Sequence, residues 1–384
     1  MSALASSQPR RDPAIEGTRA VAASLVFVFH IVSALARVRP DVVAGAPRTA
    51  TSQFGHFGVA IFFVVSGFVL YRPWVRAQVQ GEGSPALGRY LIRRFGRIYP
   101  AYWLAALAYF LWLSMSPPRN LGEWAEYLLL LQNYRAGGAL AGLGVAWTLV
   151  IEVSFYLVVP CIALACRSGA IATPLRRHWI AVGTLFVLGH ATRIAALGVE
   201  PGSRGSWQPW RDPSTWLPGF VDWFALGMAL ALVGVTAEVG RSGPRNLVVR
   251  YATPIQFAGA GVFAVAHLGL PAGTGAVYTD GQYLLRNGVV PLAAAMVIAP
   301  ILLGAPAAST RALASRPMVW LGTISYGIYL WQIPVLRGLR TLIENGDLPA
   351  SPLRLIALAI PATVLIATAS YYVVERRIMR RLDR

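Results

Sequence analysis

The chain has 384 residues, a formal net charge of +18 and a mean hydropathy of +0.54; 56% of its residues are hydrophobic and only 13% are charged. Soluble domains carry about 25% charged residues, so composition argues against a water-soluble core. The basic excess is entirely arginine, since the sequence contains no lysine.

Apolar stretches close to twenty residues long, the length a bilayer core requires, recur along the chain with polar breaks between them. Ten can be drawn, at about 17–36, 54–71, 98–114, 143–165, 178–198, 215–235, 251–270, 284–304, 318–338 and 353–374. They predict an all-α polytopic integral membrane protein of about ten transmembrane helices. Residues 1–384 then form one membrane domain, with the bundle at about 17–374. The first stretch lacks a small-residue cleavage site, so it reads as a span and not a signal peptide. Most arginines fall on the N-terminal side of these spans, in the 72–97 loop, in the breaks after the fourth, sixth and eighth stretches, and after residue 375. The positive-inside rule then places both termini in the cytoplasm. The net charge is explained by anchoring to anionic inner-leaflet lipid, and no nucleic-acid partner is expected.

In the first stretch Arg19 and His30 are eleven positions apart. Eleven helical steps return to within about 20° of the same face and rise about 16 Å. Arg19 then stands at one interface and His30 near the midplane, where an ionisable group is presumed functional. The second stretch is interrupted by Ser66-Gly67, small residues that let a neighbouring helix approach closely. The following loop carries Arg93, Arg94 and Arg97, which helical spacing would gather on one side. Paired guanidinium hydrogen bonds suit phosphate, and lipid headgroups are the plainer alternative.

The fourth stretch holds Glu152, an acid deep among apolar residues that needs a proton, a cation or a histidine beside it. Asp222 at the head of the sixth stretch reads as interfacial, and His56, His178, His190 and His267 as structural or interfacial. Cys161 and Cys166 lie about 140° apart on one helix and cannot pair. No metal-ligand spacing occurs. The ninth stretch contains Ser325, Tyr326, Tyr329 and Gln332, too many polar groups for a lipid-facing surface, so part of it should line a cavity.

Taken together, these motifs resemble the bacterial acyltransferase family 3 of integral membrane O-acyltransferases. The points of likeness are Arg19-x10-His30, Phe62-Phe63-Val64-Val65-Ser66-Gly67-Phe68, and Arg94-x2-Arg97 before Tyr99-Pro100. Trp147-Thr148-Leu149 with Glu152 and Phe155-Tyr156, and Ser325-Tyr326 leading to Tyr329-Leu330-Trp331, complete the set. The resemblance runs from Glu16 to about Glu375. It implies a multi-pass protein of the bacterial plasma (inner) membrane, moving an acyl group to a hydroxyl of a carbohydrate or macrolide-like natural product. The implied cosubstrate is acyl-CoA, acetyl-CoA by default, with no permanently bound cofactor. In that frame His30, Arg19 and Glu152 are the candidate catalytic residues, with His30 as general base. Arg93, Arg94 and Arg97 are the donor-binding candidates, and Ser66, Tyr326, Tyr329 and Gln332 line the substrate cavity.

Two positions depart from the family's habit: Glu16 where an Asp is common, and Gln332 where a His is common. Many relatives carry an appended extracytoplasmic esterase-like domain. The sequence here shows none before Arg384, so direct transfer by the membrane unit is expected. The rival reading is a proton-coupled transporter or exporter of a glycan or lipid-linked substrate, which a midplane histidine and a membrane carboxylate would also suit. Matching halves, common in transporters, are not evident.

Overall fold

A computed structural model describes residues 12–39, 51–113, 117–134, 142–167, 172–197, 216–271 and 278–383. Helix α1 (Pro13–Val38) starts on a cap, with the Asp12 carboxylate accepting from the Ala14 amide at 2.9 Å and Pro13 pre-setting the first turn. It is followed by α2 (Phe54–Val79), α3 (Leu87–Ala108, continued by a π turn at Tyr109–Leu113), the short α4 (Leu121–Leu128) and α5 (Trp147–Ala165). Next come α6 (Ala172–Ala196), α7 (Leu217–Glu238), α8 (Gly243–Arg250), α9 (Ala252–Leu268) and α10 (Asp280–Leu302). The last are α11 (Ala308–Leu313), α12 (Arg316–Thr323), α13 (Ser325–Glu344), α14 (Pro352–Ser370, then a π turn at Tyr371–Glu375) and α15 (Arg376–Leu382).

All ten expected stretches are therefore helical, although the outermost positions 114, 198 and 215 lie outside the described residues. Among the described residues, seven helices are long and apolar enough to cross a bilayer. The number is eight when α8 and α9, bent 75° where they meet, count as one broken span. The two stretches that do not qualify are α3 and α13. The first is an arginine-rich helix that begins well before residue 98, and the second carries the polar run after Ser325. In both, polar residues lower the mean hydropathy: Arg89, Arg93, Arg94 and Arg97 in α3, and Ser325, Gln332, Arg337 and Arg340 in α13. The span drawn across 318–338 is also broken in two at Ile324, where the Ser325 hydroxyl donates to the Gly322 carbonyl at 2.7 Å.

Helix α2 is the hub, with α1 on one flank, α7 on another, and α5 and α10 also against it. Its contact with α7 is backbone to backbone. A Cβ at Gly67 would strike the Phe224 carbonyl, and one at Gly227 would strike the Val64 carbonyl. Small residues are what permit such an approach in lipid, where packing and not water drives association. Around this seam Phe224 stacks on Phe63 at 4.5 Å and on Phe155 at 4.0 Å, joining α2, α5 and α7. A smaller core of Ala23, Phe27 and Ile31 packs α1 against α13 and α14. The outer faces are apolar, with Phe257 74% and Trp112 77% exposed, as a lipid-facing surface requires.

Gly227→Val is expected to lower the melting temperature in detergent sharply, since overpacking of a tight seam costs about 1–3 kcal/mol or more. Gly183→Ala, where a Cβ would meet open space, should leave it unchanged.

Candidate active site

The polar groups of five helices meet inside the bundle. Glu152, on the second turn of α5, accepts from the Ser66 hydroxyl of α2 at 3.0 Å and from the Tyr156 hydroxyl one turn on at 2.8 Å. Arg19 of α1 lies within electrostatic range of Glu152, Tyr156, Glu16 and Arg97. Arg94 and Arg97, one turn apart on α3, face the same group: Arg94 interacts with Glu152, Tyr156 and Arg97, and its guanidinium lies 5.6 Å from the centre of the Tyr90 ring. Glu375, buried at the end of the π turn after α14, faces Arg97 and Arg19.

Among the described residues, none of these three arginines closes a direct ion pair with Glu152 or Glu375. The charges stand opposite one another without collapsing together. Such spacing leaves guanidinium hydrogen bonds for an anion brought in from outside. A π turn at the edge of the group is in keeping with the frequent placement of such bulges at functional sites.

Helix α13 closes the other wall. The Tyr326 hydroxyl donates to the Ile98 carbonyl at 2.8 Å, and interacts with Glu375, Glu152 and Tyr156. The Tyr329 hydroxyl lies 2.6 Å from Thr148 Oγ1 and 3.1 Å from the Val145 carbonyl. Gln332 is fully buried and donates from Nε2 to the Tyr329 carbonyl at 2.9 Å. Its amide also reaches the His30 imidazole, while Oε1 has no partner at hydrogen-bond distance.

His30 Nδ1 is 2.9 Å from the Val26 carbonyl. A carbonyl only accepts, so in the neutral ring Nδ1 carries the proton and Nε2 keeps its lone pair. His30 thus stands apart from the arginine and glutamate group, about 16 Å along α1 from Arg19 by helical rise.

Two expectations change. Arg93 does not join Arg94 and Arg97: Asp383, beyond α15, takes it in an ion pair of 2.8 Å. Spacing alone leaves Arg93 on the same face as Arg97, and it is the ion pair with Asp383 that draws its side chain away. Asp222 is not interfacial, since it is 1% exposed and receives both Nη groups of Arg193, at 2.9 and 2.5 Å. Two of the histidines also have partners: His190 Nδ1 is 3.4 Å from Asp222, and His178 bonds Tyr71 and Gln78.

Sequence reasoning passed over Glu375 and Tyr156. Tyr156 was readable, since it sits one turn from Glu152, the acid in an apolar run. Glu375 precedes an arginine run, and no spacing in the sequence ties it to Arg19 or Arg97. Cys161 and Cys166 are free thiols, and no group of metal-ligating side chains occurs among the described residues.

A multi-pass helical bundle that gathers arginines, glutamates and a histidine between its spans defines an integral membrane protein built around an internal polar site. Its family follows from comparison: residues 12–372 match the acyltransferase 3 model, described as an acyltransferase domain, and the chain belongs to that family. It is 26% identical over 96% of its length to a putative peptidoglycan O-acetyltransferase of Bacillus subtilis, covering 55% of that protein. It is likewise 26% identical over 96% of its length to the peptidoglycan O-acetyltransferase of Listeria monocytogenes, covering 56%. An acyltransferase of Streptomyces mycarofaciens is 30% identical over 44% of this chain and 42% of its own. The chain therefore spans about half the length of the first two relatives. No solved structure matches it.

Proposed function

We propose that this protein is a membrane O-acyltransferase that moves an acyl group, acetyl in the first instance, from acyl-CoA to a hydroxyl of a glycan or natural-product acceptor. Family membership and the peptidoglycan O-acetyltransferase relatives support the reaction class. The observation that carries the mechanism is the His30 imidazole. Val26 fixes its tautomer, and the buried amide of Gln332 lies beside the ring. The CoA phosphates dock on Arg94 and Arg97 from the cytoplasm, with Arg93 held at the rim by Asp383. The pantetheine arm runs into the bundle towards His30.

His30 Nε2 takes the proton of the acceptor hydroxyl as that oxygen bonds to the thioester carbon. The carbon–sulfur bond then breaks, and the departing CoA sulfur recovers the proton from the imidazolium. Gln332 Oε1, without a protein donor, is placed to steady the protonated ring. Arg19 and Glu152 set the charge at the donor end, with Glu152 oriented by Ser66 and Tyr156. Tyr326 and Tyr329 shape the wall between the two ends. All ten helical stretches cross the inner membrane in this reading, with both termini in the cytoplasm.

CoA binding to the purified chain tests the donor site. Arg94→Ala combined with Arg97→Ala is expected to weaken it at least a hundredfold while Arg93→Ala costs less than fivefold. Equal binding by both variants and the unmodified protein would move the donor site off these arginines, and no binding of CoA by the unmodified protein would favour a transporter instead.

A further inference from the structure

A second polar group sits where α2 begins, at the end of the bundle away from Arg94 and Arg97. Gln53, immediately before α2, is fully buried. Its Oε1 accepts from Arg286 Nε at 3.0 Å and its Nε2 donates to the Tyr278 hydroxyl at 3.3 Å. The Arg286 guanidinium lies 5.0 Å from the centre of the Tyr278 ring. Two residues thus clamp the guanidinium through Nε and one face. Its Nη groups have no hydrogen-bond acceptor among the described residues, and no described carboxylate pairs with it. The described acid deepest at this end, Asp222, is already taken by Arg193.

His56 adjoins Arg286, packed edge-on against Trp223 at 4.8 Å, and its Nε2 is buried without a partner. A guanidinium held in a bundle with no counterion among the described residues is costly, and its open fork matches a carboxylate or phosphate. Helix register fixes the depth. A Cβ at Gly55 would press on the Phe29 ring, and Phe29 adjoins His30. The start of α2, and Arg286 with it, therefore packs towards the His30 half of α1 and away from the donor arginines.

We propose that Arg286, presented by Gln53 and Tyr278 beside His56, binds an oxyanion: the carboxylate or phosphate substituent of the acceptor, entering from the end opposite the donor. The anion site stands on its own geometry; its assignment to the acceptor rests on the acyl-transfer reading. A lipid headgroup would present the same chemistry, so the test separates the two sources.

The full chain, purified and stripped of lipid, is titrated with inorganic phosphate, methyl glucuronide and the uncharged methyl glucoside, following thermal stability and binding heat. Phosphate and the glucuronide should bind and stabilise, and the glucoside should not. Arg286→Gln should weaken glucuronide binding at least tenfold, Arg286→Lys less, and both should keep CoA binding. His30→Ala should keep the glucuronide response, so loss of transfer activity and loss of this site are separable. In nanodiscs, a glucuronide response present in phosphatidylcholine and abolished by phosphatidylglycerol would assign the site to the headgroup. No difference between glucuronide and glucoside in the unmodified protein overturns the proposal, whether or not Arg286→Gln folds. So does an equal response in a folded Arg286→Gln.

Discussion

His30→Ala is expected to reduce acyl transfer from acetyl-CoA by about 10²–10⁴-fold, the range a positioned general base contributes. CoA binding and the melting temperature should hardly change. The imidazole bonds the Val26 carbonyl of its own helix, which also closes the helix ladder, and has the Gln332 amide beside it. The variant thus deletes a proton acceptor without opening a network. Kinetics on the purified chain would check it: kcat should fall and the affinity for CoA should hold. Turnover within tenfold of the unmodified protein would remove His30 from the chemistry.

The largest stability effect should come from the other end of the bundle. Arg193 and Asp222 are each 1% exposed, and the arginine also donates to the Gly219 carbonyl at 2.5 Å. A Cβ at Gly189 would lie within 3 Å of the Asp222 carboxylate, so the glycine makes room for the pair. Removing one partner leaves a buried charge without its opposite, which costs about 3–5 kcal/mol. Asp222→Ala should therefore strongly lower stability in a reversible unfolding assay. Arg193→Met together with Asp222→Leu should recover much of the loss, because apolar groups of similar volume remove both charges at once. A double variant as unstable as the single one would mean that the pair specifies the fold through more than charge balance.

Much of the architecture could be read from the chain because lipid imposes a simple rule: spans must be apolar and must satisfy their backbone internally. That rule marks α1, α5 and α7 almost to their ends, and the start of α2, which runs on eight residues past the stretch drawn at 54–71. It reads poorly where a helix turns polar groups inward. Hydropathy places the third stretch near residue 98, whereas the helix starts at Leu87 and carries Arg94 and Arg97 in its first half. The site divides in the same way. Glu152 stands out as an acid in an apolar run, and so it is visible. Its partner Ser66 is 86 positions away, and only packing brings them together. Arg193 and Asp222 are 29 positions apart on neighbouring helices, and no periodicity links them. Arg93 shows the converse: spacing groups it with Arg94 and Arg97, and a residue from the far end of the chain draws it away.

The position of CoA bound to the full chain in a lipid nanodisc, seen by cryo-electron microscopy, tests the central claim most directly. The account predicts phosphate density against Arg94 and Arg97, and the terminal sulfur beside His30 Nε2 after an arm spanning about 16 Å of helical rise. A CoA whose phosphates avoid those arginines, or whose sulfur ends away from that ring, would contradict it.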